Sequence, residues 1–398
     1  MKTSRIFGAV FAVLLSVSVA NTAHAVRLGP LEAHPNLGFN TTYDDNVYVQ
    51  NTNEKSDWYF TVSPGMLLRL PVRKSVVEVE YKADIFRYVD TGDNNNVEDH
   101  YLRGLIGVNL ASGVSLRLDD LGTRGHEARG DTNAAVVGAT PMNKYYKNDF
   151  MAELGYDISE RFKVTAAYTN FYMDYDLDAN SFRDRMDNGG DLTVYYKFMP
   201  KTSVLVEGTY KDVNHREDSD NAKRLNSVEY NALAGLTWDI TAKSKGTVKA
   251  GYGWKDFDEG DRKDFSSPVF NASLEHHFTP KTSMFISGSR FANETDDPNV
   301  EYMTGTRGQL KLRFNPVTKV FVSPYTSISN NEYSGDTTVQ GDTGRREDDI
   351  YSSGIDASYN MNKWIAFHLG YKYTHRVSTF TYYDYTDNSV TFGFKGTL

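Results

Sequence analysis

The feature that most constrains this chain is an alternation of apolar and polar residues that recurs along most of its length. Val77, Val79, Tyr81, Ala83 and Ile85 are apolar, and Glu78, Glu80, Lys82 and Asp84 fall between them. Phe150, Ala152, Leu154, Tyr156 and Ile158 alternate with polar neighbours such as Asp149, Glu153 and Asp157. Leu310, Leu312 and Phe314 alternate with Gln309, Lys311 and Arg313, and Val390, Phe392, Phe394 and Leu398 continue the pattern at the C-terminus. A period of two puts successive side chains on opposite faces of a sheet. The chain therefore reads as strands with one apolar and one polar face.

The turns between strands repeat as well. Pro200-Lys201-Thr202-Ser203 and Pro280-Lys281-Thr282-Ser283 are identical, and Pro316-Val317-Thr318-Lys319 is a relative. Each follows an aromatic strand end, at Phe198, Phe278 or Phe314. Similar short turns are expected at 71–74, 111–113, 159–161, 241–245 and 360–363, roughly every 36 to 48 residues, the length of a supersecondary unit. Midway between them lie segments rich in Asp, Asn and Gly, at 91–99, 122–143, 177–188, 215–225, 258–264, 295–302 and 332–347, which read as loops. Eight short turns imply nine hairpins and hence 18 strands, the first near 35–49 and the last over 385–398.

Each repeat holds two strands of about 12 to 15 residues, longer than the roughly 5 to 6 usual in soluble sheets. A tilted membrane-crossing strand needs about 9 to 11 residues. A propeller blade has a similar repeat length but four shorter strands, and soluble lipid-binding barrels have about eight strands. The composition agrees with a membrane barrel: 27 Tyr, 22 Phe and 31 Gly against 11 Pro, with a mean hydropathy of −0.53. The expected fold is an all-β, transmembrane, antiparallel up-and-down β-barrel of about 18 strands. Short periplasmic turns on one side and longer extracellular loops on the other suit such barrels.

The N-terminus fits export. Lys2 and Arg5 precede an uncharged, mostly apolar run from Ile6 to Ala20, and Ala23-His24-Ala25 has the small-x-small form of a cleavage site. The expected organisation is a signal peptide over 1–25 and one outer-membrane β-barrel over 26–398. Loss of Lys2 and Arg5 takes the formal charge from −9 to −11, and no basic patch suggests nucleic acid. The expected surroundings are outer-membrane lipid and lipopolysaccharide, with the barrel-assembly machinery acting during biogenesis.

The chain offers no catalytic constellation. There is no His-Glu-x-x-His, no Gly-x-Ser-x-Gly and no phosphate-binding Gly-Lys-Ser/Thr loop. With no cysteine there is neither a disulfide nor a thiolate metal site. Asp174, Asp176 and Asp178 lack the glycine and closing Glu of a calcium loop, so they read as a solvated acidic loop, as does Asp348-Asp349. No enzyme activity, cofactor or metal is expected. Tyr252, Trp254, Trp364, Tyr371 and Tyr373 read as interfacial girdles.

The remaining functional signal is the polar face. The lumen-lining candidates are Glu78, Glu80, Lys82, Asp84, Arg103, Arg117 and Asp119 in the first third of the chain. Glu153, Lys197, Glu207, Lys211, Glu229 and Lys249 follow, then Arg307, Lys311, Arg313, Lys372 and Arg376. Tyr195 is an inward aromatic that could stack on a sugar. Barrels of about 16 to 18 strands enclose more space than their own side chains fill, so a polar interior implies an aqueous path or a plug.

His34-Pro35-Asn36-Leu37-Gly38-Phe39, then Tyr43-Asp44-Asp45-Asn46-Val47-Tyr48, Ser56-Asp57-Trp58 and Ser63-Pro64-Gly65 resemble the opening of the outer-membrane β-barrel porins associated with exopolysaccharide (biofilm matrix) export. The resemblance implies a channel that helps a polysaccharide substrate across the outer membrane, with periplasmic export proteins as partners. The alternative is a general or solute-selective diffusion porin, for which 122–143 is long enough to fold inward and narrow a pore.

Overall fold

The computed structural model describes residues 26–110, 112–130, 140–216, 225–241, 243–259, 262–295, 297 and 300–397. The expected leader over 1–25, and Leu398, lie outside them. A three-residue strand, β1 (Val26–Leu28), pairs with β2 (Leu31–Asp44). The long strands continue as β3 (Asp57–Val72), β4 (Ser75–Tyr88), β5 (Val97–Asn109), β6 (Val114–His126) and β7 (Lys144–Asp157). Next come β8 (Phe162–Tyr175), β9 (Arg185–Met199), β10 (Thr202–His215), β11 (Ser227–Thr241), β12 (Ser244–Phe257) and β13 (Phe265–Thr279). The last are β14 (Thr282–Asn293), β15 (Met303–Phe314), β16 (Val320–Val339), β17 (Asp342–Asn360), β18 (Ile365–Ser378) and β19 (Tyr385–Thr397).

Each long strand pairs antiparallel with the next, and β19 returns to β2, with Phe392 opposite Thr41 and Phe394 opposite Phe39. The 18 long strands, β2 to β19, thus close into one barrel. Closure is what the membrane demands, because each unpaired backbone N–H or C=O in hydrocarbon costs several kcal/mol.

The register carries the alternation around the barrel. Val79 lies opposite Gly104, Leu116 opposite Leu154, Leu192 opposite Ala166 and Val206 opposite Ala234, so one apolar parity runs from strand to strand. That parity points outward: Leu192 is 54% exposed, Val206 63% and Phe392 51%. Apolar exposure on this scale marks a surface covered by lipid. Aromatic side chains border it. Phe162, Phe198, Phe278, Phe314 and Trp364 lie exposed near the short turns, and Trp58, Tyr146, Tyr252 and Trp254 toward the opposite ends. All eight short connections fall where the repeat places them.

Several loop bounds differ from the sequence reading. The first strand covers 31–44, because Asp44 Oδ1 accepts the Asn46 N–H at 2.8 Å and turns the chain. β6 runs on to His126, and β9 begins at Arg185. The segment 332–347 is not a loop. After a register shift between Glu332 and Asp336 the strands pair again, with Asp336 opposite Arg345 and Thr338 opposite Thr343. Gln340 (φ 53°) and Gly341 (φ 92°) close this hairpin, the two left-handed residues that match the twist of paired strands. Its polar residues extend the two strands past the shift, and several of them, such as Thr337 and Arg346, are buried, which composition alone does not distinguish from a loop.

Candidate functional site

The inward parity is polar, and the register places all eighteen candidates on it, opposite the exposed apolar rows. Their partners divide the wall in two. From β3 to β6 the cations are held by carboxylates. Glu78 accepts from Arg69 at 3.0 Å, Asp84 from Lys82 at 2.6 Å, and Asp119 from both Arg103 (2.6 Å) and Arg117 (2.8 Å). Glu80 lies across from Arg103, and Glu153 across from Arg117. From β10 to β12, Glu207 accepts from Lys249 at 2.7 Å, and Glu229 from Lys211 at 2.8 Å and Lys255 at 2.9 Å. Lys197 lies opposite Ser203 near a short turn.

The β14–β16 wall is different. Arg307, Lys311 and Arg313 on β15 face Ser289, Phe285 and Ser283 on β14. On β16, Arg307 meets Ser329 and Lys311 meets Tyr325. Among the described residues these three cations have no ion pair and no side-chain hydrogen bond. Farther round, Lys372 shares a cavity with Asp387, and Arg376 donates to Asp348 at 2.5 Å.

The structure adds groups that alternation did not single out. Lys255 is fully buried at the loop end of β12, bonded to Glu229 and Glu294. Its signal was present, since Lys249, Gly251, Gly253 and Lys255 continue the inward parity of β12. Glu294 lies past the end of β14 and carries no periodic signal. Burial works to raise the Glu294 carboxyl, but Lys255, Arg185 and Lys211 together hold it well below the usual carboxylate range. Asp348 is not solvated as expected: it is 0% exposed, between Arg346 (3.0 Å) and Arg376. Asp174 and Asp176 are also paired, with Arg216 at 3.1 Å and with Arg124. The Arg124 hydrogen bond holds the Asp176 carboxyl below its ordinary value.

The first residues after β6, Glu127 to Gly130, turn into the lumen. Glu127 anchors their base, accepting from Arg183 at 2.7 Å, Tyr175 at 3.0 Å and Asn143 at 2.8 Å. Beyond it Arg129 donates to Asn95 Oδ1 at 3.0 Å and lies over the Tyr48 ring. The Gly130 carbonyl accepts from Tyr385 Oη at 3.3 Å, so this segment touches β19 on another part of the wall. Gly130 has φ 77°, and a Cβ there would come within 2.5 Å of Tyr385 Oη. Glycine thus permits both the turn and the close approach. Arg129, Gly130 and Val49 bound a cavity of about 610 Å³ whose other wall carries Ser273, Ser287, Gln309, Arg307, Ser327 and Lys372. A second cavity, of about 440 Å³, is lined by Glu153, Tyr195, Glu207 and Lys249.

Among the described residues, Asp44, Asp45 and Asp387 come nearest to metal-ligand spacing. Asp44 already accepts from Asn46 and Asp45 from Asn388, which accounts for part of their ligand capacity.

Residues 22–397 match the family described as "Putative beta-barrel porin 2". The chain belongs to this porin family. The porin is similar to the solved structure of OpdK from Pseudomonas aeruginosa at 8% identity and a TM-score of 0.47, covering 92% of this chain and 99% of that one. It is also similar to the siderophore receptor PirA from Acinetobacter baumannii at 9% identity and a TM-score of 0.44, covering 95% and 81%. No curated protein matches it. The porin is an outer-membrane barrel with a channel-type architecture.

Proposed function

We infer that the porin passes small hydrophilic solutes by passive diffusion, through a lumen lined by the eighteen inward charged residues and narrowed by Arg129 and Gly130. The observation that carries this reading is the 610 Å³ cavity between Arg129–Gly130 and a wall of serine hydroxyls with Arg307 and Lys372. An apolar core would have filled such a space with side chains. Here polar groups face it, and water in it keeps them solvated. Purified protein in planar bilayers is expected to give stable open conductance, and proteoliposomes to swell in small sugars. A folded barrel that stays silent in both overturns the reading.

A second reading is export of an exopolysaccharide, with periplasmic export proteins supplying the polymer. The resemblance of the opening hairpin, from His34 to Gly65, favours it. So does a lumen rich in serine and tyrosine, including Tyr195. Deleting the protein from its host separates the two readings. Loss of secreted polysaccharide supports export, and unchanged secretion removes it.

A further inference from the structure

We propose that the channel selects anionic, hydroxyl-bearing solutes, and that the β15 cations Arg307, Lys311 and Arg313 set this preference. The proposal rests on the diffusion-channel reading and goes beyond it by naming the solute class. It starts from an imbalance in pairing. On the β3–β6 and β10–β12 walls the inward cations are neutralised locally, as in Arg103–Asp119, Arg117–Asp119 and Lys249–Glu207. Those pairs present little net field to a passing ion. Arg307, Lys311 and Arg313 have no such partner among the described residues. The inward residues opposite them on β14 and β16 are serines, Phe285 and Tyr325, none of them acidic.

These cations also point into water. Arg307 and Arg313 are exposed and Lys311 is half-buried, although all three face away from lipid. At about 3.4 Å per residue they span roughly 20 Å along one strand, about 15 Å of height at the usual tilt against an apolar band of about 25 Å. A carboxylate or phosphate moving along this wall thus passes from one cation to the next. Ser287, Ser327 and Gln309 lie beside the row and can hydrogen-bond a solute's hydroxyl groups. Guanidinium suits such a role because its planar donor fork matches an oxyanion. The formal charge of the whole chain, −9, points the other way and would favour cations. The field inside a low-dielectric lumen follows the charges that face it unpaired, not the total.

The test is ion selectivity of the full-length, signal-processed protein in planar bilayers under a KCl gradient. The wild type is expected to pass chloride over potassium by roughly threefold, the preference that a few screened charges at pore distance produce. The variant with Arg307→Gln, Lys311→Gln and Arg313→Gln is expected to lose that preference, and the charge-conserving Arg307→Lys, Arg313→Lys variant to keep it. Heat-modifiable mobility in gels checks that each variant is folded. In proteoliposomes, gluconate should enter faster than glucose, which has nearly the same size and hydroxyl content. A conducting wild type without anion preference, or a folded triple variant that keeps it, overturns the proposal and leaves the channel reading standing. A silent barrel overturns both.

Discussion

Replacing Lys255 by methionine isolates the energetics of the buried charge cluster at the loop end of the lumen. Lys255 is 0% exposed and its Nζ lies 2.9 Å from Glu229 and 2.5 Å from Glu294. Methionine keeps much of the stem and removes the ammonium. Two carboxylates, each 11% exposed, then face one another, with Lys211 still 2.8 Å from Glu229. Removing one partner of a buried ion pair costs about 3 to 5 kcal/mol, because the charge left behind is desolvated and uncompensated.

The pH dependence follows from the direction of the Glu294 shift. In the wild type its folded value lies below the unfolded value of 4.5, so its contribution is complete above the unfolded value and is lost as pH falls through the folded one. In the variant the Lys255 attraction is gone, and burial beside Glu229 favours the neutral acid. Protonation then relieves the strain, and the gap between variant and wild type narrows in acid. Urea unfolding in lipid vesicles, followed by tryptophan fluorescence at neutral and mildly acidic pH, measures both effects. Adding Glu229→Gln and Glu294→Gln to the variant should recover most of the loss, since no charge is then stranded. A Lys255→Met protein within about 1 kcal/mol of wild type at neutral pH, or a gap that widens in acid, refutes the reasoning.

Three further outcomes are expected. Leu192→Arg, on the lipid face in the middle of β9, should lower stability by about 2 to 4 kcal/mol, whereas Ser327→Arg on the lumen face should have a far smaller effect on urea midpoints. Arg129→Ala removes a side chain from the cavity and its hydrogen bond to Asn95, so single-channel conductance should rise; an unchanged value would show that Arg129 does not narrow the path. N-terminal sequencing of the protein extracted from outer membranes should begin at Val26, and a start at Met1 would remove the proposed leader cleavage.

Much of the architecture was legible from local pattern. A strand's two faces follow from the pleat, so Leu310, Leu312 and Phe314 could be assigned to lipid, and Lys311 and Arg313 to the lumen, without any partner strand. The eight short turns, the repeated Pro-Lys-Thr-Ser among them, set the hairpin count, because each tight turn forces the next strand to pair antiparallel. Composition failed at 332–347, where polar residues, several of them buried, form an extended hairpin. It failed again at Asp348, whose solvated look came from its neighbours and not from Arg346 and Arg376.

Period-two alternation and the spacing of short turns were enough to predict a closed barrel of about 18 strands and to put its charges on the parity opposite the apolar rows. Those properties depend on covalent geometry and on residues close in the chain. Which charges are neutralised depends on cross-strand register and on loops that return from far away. Arg103 and Asp119 meet because β5 and β6 pair in one register, and Gly130 meets Tyr385 across 255 positions. The alternation that first marked the chain as a barrel treats Arg103 and Arg307 alike. Folding leaves one tied to a carboxylate and the other facing open water.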